Sequence, residues 1–140
     1  MRIITTMKLG QFALGALVVA VSAATSAPRA QAQSLTPMRG EIKSFTDKFA
    51  VRVTPGNPYQ HRIKVEVRVY DENFAPVEAM VSPRETILTP QDGRTVMVMV
   101  PFNGSTQRRV RICAESIPVK EKTTRVRTQV CGRFLARRVQ

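Results

Sequence analysis

Between His61 and Tyr70 the chain alternates without interruption. Ile63, Val65, Val67 and Val69 are apolar, and Arg62, Lys64, Glu66 and Arg68 between them are charged. A period of two sorts these residues onto the two faces of an extended strand, one buried and one wet, whereas a helix would smear them around its axis. The same period returns in Phe49, Val51 and Val53 against Ala50 and Arg52, and in Thr95 to Val100, which reads Thr-Val-Met-Val-Met-Val. Beyond the first thirty or so residues no window holds an apolar period of 3.6, so the sequence predicts an all-β chain with no long helix. Breakers sit where the strands must turn: Thr54-Pro55-Gly56-Asn57-Pro58, Asp71-Glu72-Asn73, Thr89-Pro90-Gln91-Asp92-Gly93 and Asn103-Gly104-Ser105-Thr106. Ser34 to Met38 reads as a short extended lead-in. About seven short strands spaced by turn chemistry predict an immunoglobulin-like β-sandwich, with a small barrel as the alternative. The absence of tryptophan, and cysteines on late neighbouring strands, argue against an antibody-type domain.

The last two strands register against each other. Val110, Ile112 and Ala114 share one face of the first, with Arg109, Arg111 and Cys113 on the other. Val126, Val130 and Phe134 share one face of the second, with Arg127, Gln129, Cys131 and Arg133 on the other. If Cys113 faces Cys131 across an antiparallel pair, Ile112 opposes Gly132, Val110 opposes Phe134, and Arg111 opposes Arg133 on the wet side. A slip of one residue would destroy that parity. Opposed residues lie within disulfide reach, so a Cys113–Cys131 bridge on the polar face is expected.

The N-terminus sets the compartment. Arg2 and Lys8 precede an apolar run from Leu9 to Ala24, and Ala30-Gln31-Ala32 supplies the small residues of a cleavage site. This is the order of a secretory signal peptide, residues 1–32, followed by a single domain at 33–140. The run is short for a membrane span, which needs about 20 residues, and no transmembrane segment is expected in the processed form. An exported chain with an even cysteine count suits an oxidising compartment, here the periplasm. The sequence carries a formal net charge of +12, and the expected leader contributes Arg2, Lys8 and Arg29 without an acid, leaving +9 on the exported part. Such a charge favours anionic partners, and export argues against nucleic acid among them.

The residues that catalysis needs are not assembled. His61 is the only histidine and follows a Pro-Gly-Asn turn, and the expected bridge would leave no free cysteine. Glu66, Glu78, Glu85 and Glu115 are scattered without a paired spacing, and Asp92-Gly93 is a turn. No enzyme, cofactor or metal site is expected.

Three stretches carry a resemblance. Ser82 to Val96 (Ser-Pro-Arg-Glu-Thr-Ile-Leu-Thr-Pro-Gln-Asp-Gly-Arg-Thr-Val) is similar to the segment of pilus-assembly chaperones built on a Pro-x-x-x-x-Leu-x-Pro-Gly turn. Arg111 to Pro118 resembles that family's penultimate strand, which ends in Glu-Ile-Pro, with Ser116 in place of the glutamate. Val126 to Arg137 resembles its last strand, keeping Phe134 and Arg137 of a basic, aromatic closing phrase. The family is the periplasmic chaperones of the chaperone–usher pathway, and the chain from Met38 onward corresponds to their first immunoglobulin-like domain. The resemblance implies a protein that binds incomplete pilus or fibre subunits, with an usher as a further partner. It would lend a β-strand to the subunit and hold its terminal carboxylate with basic side chains. The strand donor would be Val126, Thr128, Val130 and Phe134, with Gly132 among them. The basic anchor would fall at Arg133 on the last strand and at Arg39 or Lys43 on the first, and Arg111 stands beside Arg133 in the expected pairing.

Two functions from different classes follow. One is a chaperone-like factor that assists assembly of pilus or surface-fibre subunits by β-strand augmentation. The other is an accessory or structural envelope protein whose basic face binds an anionic polymer or a partner.

Overall fold

The apolar alternation closes into two sheets packed face to face. The structure, a computed structural model, describes residues 33–118 and 127–140. The expected signal peptide and Val126 lie outside the described residues. Nine strands follow in order: β1 (Ser34–Thr36), β2 (Arg39–Ser44), β3 (Lys48–Gly56), β4 (Ile63–Tyr70), β5 (Met80–Ser82), β6 (Glu85–Leu88), β7 (Val96–Pro101), β8 (Gln107–Pro118) and β9 (Thr128–Arg138). One sheet has the order β1-β3-β7-β5 and the other β2-β9-β8-β4-β6. The expected all-β sandwich is therefore the observed fold, with two more strands than the seven anticipated. The extra strands are β2, which offers only Ile42 as a large apolar residue, and the three-residue β5.

The core follows the parity of the sequence. Ile63, Val65, Val67 and Val69 of β4 face Val96, Val98 and Val100 of β7, and all are buried. Phe49 and Phe102 meet with ring centroids 5.1 Å apart and planes tilted by 54°, a contact that adds to their burial. In β6 the parity also decides: Thr86 and Leu88 turn inward while Ile87 is exposed. Asn57, read in sequence only as part of a breaker, is a buried linchpin. Its Nδ2 donates to the carbonyls of His61 (2.8 Å), Leu88 (3.2 Å) and Thr89 (2.9 Å), and its Oδ1 accepts from Tyr59 N (3.0 Å). It clips the β3–β4 loop to the end of β6. His61 stacks on Tyr59 in the same loop.

The N-terminal segment changes sheets. β1 pairs antiparallel with β3, and after Pro37 the chain crosses to the other sheet, where β2 pairs parallel with β9. This crossing covers only the Arg133–Arg138 part of the β9 edge. No helix among the described residues is long and apolar enough to cross a membrane.

Candidate binding site: an arginine row beside an open strand edge

The antiparallel pairing of β8 and β9 has the register expected from parity: Val110↔Phe134, Arg111↔Arg133, Ile112↔Gly132 and Cys113↔Cys131. The bridge Cys113–Cys131 is formed, with the Cα atoms 4.0 Å apart. Its surroundings differ from expectation. The cysteines lie on the outer face of the sheet, yet Cys113 is fully buried. The rows on either side carry long side chains, Arg111 and Arg133 on one and Glu115 and Gln129 on the other, and such chains cover apolar surface with their stems.

Parallel pairing of β2 with β9 sets Arg39 opposite Arg133, and β4 sets Tyr70 opposite Arg111. Arg39, Arg133, Arg111 and Tyr70 thus form one row across four strands, three of them cationic. The next row on the same face holds Glu41, Leu135 and Arg109. Together with Glu72, the three arginines of the first row and all of the second line an open groove of about 520 Å³. Lys43 is not part of it. It pairs with Arg137, four residues further along the strand or about 13 Å away, and lines a separate depression.

The β4–β5 turn forms one wall. Asp71 Oδ1 accepts from the amides of Asn73 (2.8 Å) and Ala75 (2.9 Å), which fixes the turn and holds Phe74 at a φ of 60°. Phe74 then lies under the Arg111 guanidinium, 4.5 Å from ring centroid to Cζ. Arg111 Nη2 donates to the Glu72 carbonyl at 3.4 Å, and its Nε is buried without a partner. Arg109 Nη1 pairs with Glu72 Oε1 at 3.2 Å. Arg109 and Arg111 are therefore tied to the turn, whereas Arg39 and Arg133 have no ion pair or side-chain hydrogen bond among the described residues. Nothing in the sequence announces this wall, because Asp71-Glu72-Asn73 carries the signal of any turn.

On the other side of the bridge the outer face is braced. Tyr70 O–H donates to Glu115 Oε1 at 2.8 Å, and Gln129 Nε2 donates to the same oxygen at 3.2 Å, so one carboxylate links β4, β8 and β9. Burial and then the Glu115 bond push the Tyr70 phenol above its ordinary value. Arg68 donates twice to Glu66, at 2.9 Å each, which holds the Glu66 carboxyl below its ordinary range.

The edge of β9 is divided. β2 pairs with Arg133 to Arg138, starting where Arg133 N donates to Met38 O at 2.8 Å. Thr128 to Gly132 pair with β8 on one side and with no strand on the other among the described residues. Because Arg133 N points toward β2, the backbone groups of Cys131 and Gln129 point to the same, open side. The strand-donor residues separate accordingly. Thr128 and Val130 lie on the open stretch; Val130 is half-buried against the core, and Thr128 Oγ1 is 3.2 Å from Ser116 Oγ. Phe134 does not belong with them. It is 2% exposed in the core, and β2 occupies the strand edge beside it. Its ring lies across two glycines, Gly132 of its own strand and Gly40 of β2: a Cβ on Gly132 would sit 2.8 Å from the ring and one on Gly40 3.1 Å from it. Gly132 is the hole this ring fills.

Similar architectures are found among solved structures. The Salmonella enterica SafB chaperone, solved with the SafA pilin, matches with a TM-score of 0.64 at 16% identity, over 80% of this chain and 57% of that one. The fold is that of the periplasmic pilus chaperones. DraB of E. coli matches at 0.63 and 18% identity, over 76% of this chain and 55% of that one. The chain spans a little over half the length of these chaperones, over their N-terminal domain. These chaperones are not enzymes. The likeness extends beyond pilus chaperones: a PapD-like domain of human CEP192 matches at 0.58 and 11% identity, over 99% of both chains. No protein-family model and no curated protein sequence matches the chain. Among the described residues no cluster of His, Cys, Asp or Glu could hold a metal ion, and no cysteine is free.

Proposed function

We propose that this protein is a periplasmic chaperone for pilus or surface-fibre subunits, exported by cleavage after Ala32 and working through the open edge of β9. One observation carries the reading: the open edge of Thr128–Gly132, which no strand pairs among the described residues, ends where β2 begins, at the Arg39–Arg133 pair. A client strand laid on that stretch, parallel to β9 and in line with β2, would bring its C-terminus to those two guanidinium groups. Backbone hydrogen bonds from Gln129 and Cys131 would supply affinity, as in other cases of strand addition. The terminal carboxylate is planar and pairs with a guanidinium through two charge-assisted bonds. Thr128 and Val130 would be the side chains offered to the client, together with residues before them in the chain. The fold shared with SafB, solved with a pilin, and with CsuC, solved with a tip adhesion subunit, supports a subunit as the partner; an usher would receive the complex.

The test is an octapeptide of alternating valine and threonine with a free C-terminus, added to isotope-labelled protein. Slowed hydrogen exchange at the Gln129 and Cys131 amides is expected. If only the arginine side chains respond, and a polyanion such as heparin produces the same response, the protein is instead an envelope component that binds anionic polymer through its basic face.

A further inference from the structure

We propose that Met80, Met97 and Met99 form a thioether site for a soft monovalent cation, Cu(I) or Ag(I), on the outer face of the four-stranded sheet. The site is on the sheet opposite to the arginine row and does not depend on the function proposed above.

The sheet register assembles it. Met80 of β5 lies directly opposite Met99 of β7, and Met97 is two residues from Met99 on the same strand and therefore on the same face. Val96, Val98 and Val100 take the inward face and are fully buried. Directly opposed side chains stand about 5 Å apart at Cβ, and diagonal neighbours about 7 Å apart remain within reach of long side chains. Methionine is unbranched with three rotatable bonds, so three sulfurs mounted at these positions can converge on one ion. On the far side of β7, Met99 faces Ala50, whose small side chain leaves room beside the cluster. β5 is the edge of its sheet and Met80 is 67% exposed, so the site opens directly to solvent.

The composition of this face points the same way. Four methionines lie beyond residue 32, and only Met38 is outside the trio. The outer face of the other sheet is dominated instead by charged side chains, among them Arg39, Arg111, Arg133, Arg68, Glu66 and Glu115. Neutral, polarisable thioethers select Cu(I)-like ions over Zn, Ca or Mg, which take imidazole, thiolate or oxygen donors. The bridge Cys113–Cys131 removes the two thiolates that would otherwise compete for the same ions. Arg52, opposite Met97, adds a nearby positive charge that opposes a divalent ion twice as strongly as a monovalent one.

Ag(I) is the probe, because it takes the same donors as Cu(I) without a reductant that would open the bridge. The protein, labelled with ¹³C at the methionine ε-methyl groups, is titrated with silver nitrate in chloride-free buffer. The methyl signals of Met80, Met97 and Met99 are expected to shift together and saturate at one equivalent, with Met38 unmoved. Met99→Leu, which keeps side-chain volume, should weaken binding by at least an order of magnitude, and Met38→Leu should leave it unchanged. The site is refuted if no silver is taken up, if the methyls including Met38 respond independently, or if the Met80→Leu/Met97→Leu/Met99→Leu protein binds as tightly as the wild type.

Discussion

Arg133→Gln removes the middle member of a row of three arginines, and the row predicts that the protein becomes more stable. Arg133 is the direct neighbour of Arg39 on β2 and of Arg111 on β8. Backbones in such pairs are about 5 Å apart, and long side chains splay to place the charges at about 7 Å. Two unit charges at that distance repel by about 0.6 kcal/mol in a medium as polar as water. Arg133 takes part in two such contacts, and its replacement relieves about 1 kcal/mol at low ionic strength. For a domain of this size that is a rise of about 4–8 °C in Tm. The Debye length falls from about 30 Å in 10 mM salt to about 3 Å in 1 M, so the gain should vanish at high salt. Thermal melts of the disulfide-intact wild type and variant at the two salt concentrations make the comparison. A variant that melts below the wild type in 10 mM salt would show that Arg133 is compensated within the fold, and the row would then be structural rather than poised for an anion.

Three further outcomes follow from particular contacts. Asn57→Ala strips the partners from three carbonyls and one amide at a site 2% exposed, and should lower stability by about 2–4 kcal/mol in urea unfolding with the m-value unchanged. Gly132→Ala drives a methyl into the Phe134 ring and should destabilise by about 1–3 kcal/mol, an effect that Gly132→Ala combined with Phe134→Leu should partly reverse. Glu66 has a folded pKa below its ordinary 4.5, so the stability it contributes is complete above that value and is lost as pH falls through the folded pKa. The Tm difference between wild type and Glu66→Gln, measured from pH 7 to pH 2, should shrink below pH 4.5.

Parity made much of the fold legible. The alternating valines mark β4 and β7 and their inward faces, and the parity of Val110 to Ala114 against Val130 to Phe134 already contains the β8–β9 register and the bridge. Parity cannot say which neighbours a strand acquires. The parallel addition of β2 to only part of β9 depends on where the N-terminal segment crosses between sheets, and Arg-Gly-Glu-Ile-Lys-Ser carries too little apolar signal to reveal a strand. That crossing is what brings Arg39 beside Arg133 and leaves Lys43 apart. It also covers the edge beside Phe134, which alternation alone ranks with Thr128 and Val130. Asn57 and Glu72 were hidden for a different reason: turn residues announce a change of direction, while their buried partners or ion pairs come from strands far away in sequence.

The most direct test of the arginine row as a carboxylate anchor is a calorimetric titration with one client-type peptide in two forms, free acid and C-terminal amide. The anchor predicts that the free acid binds the wild type more tightly by about 1.5–3 kcal/mol, the range for hydrogen bonds to charged groups, and that Arg133→Gln abolishes the difference. Equal affinity of the two forms for the wild type would contradict the account, because a strand held by its backbone alone has no use for the charge at its end.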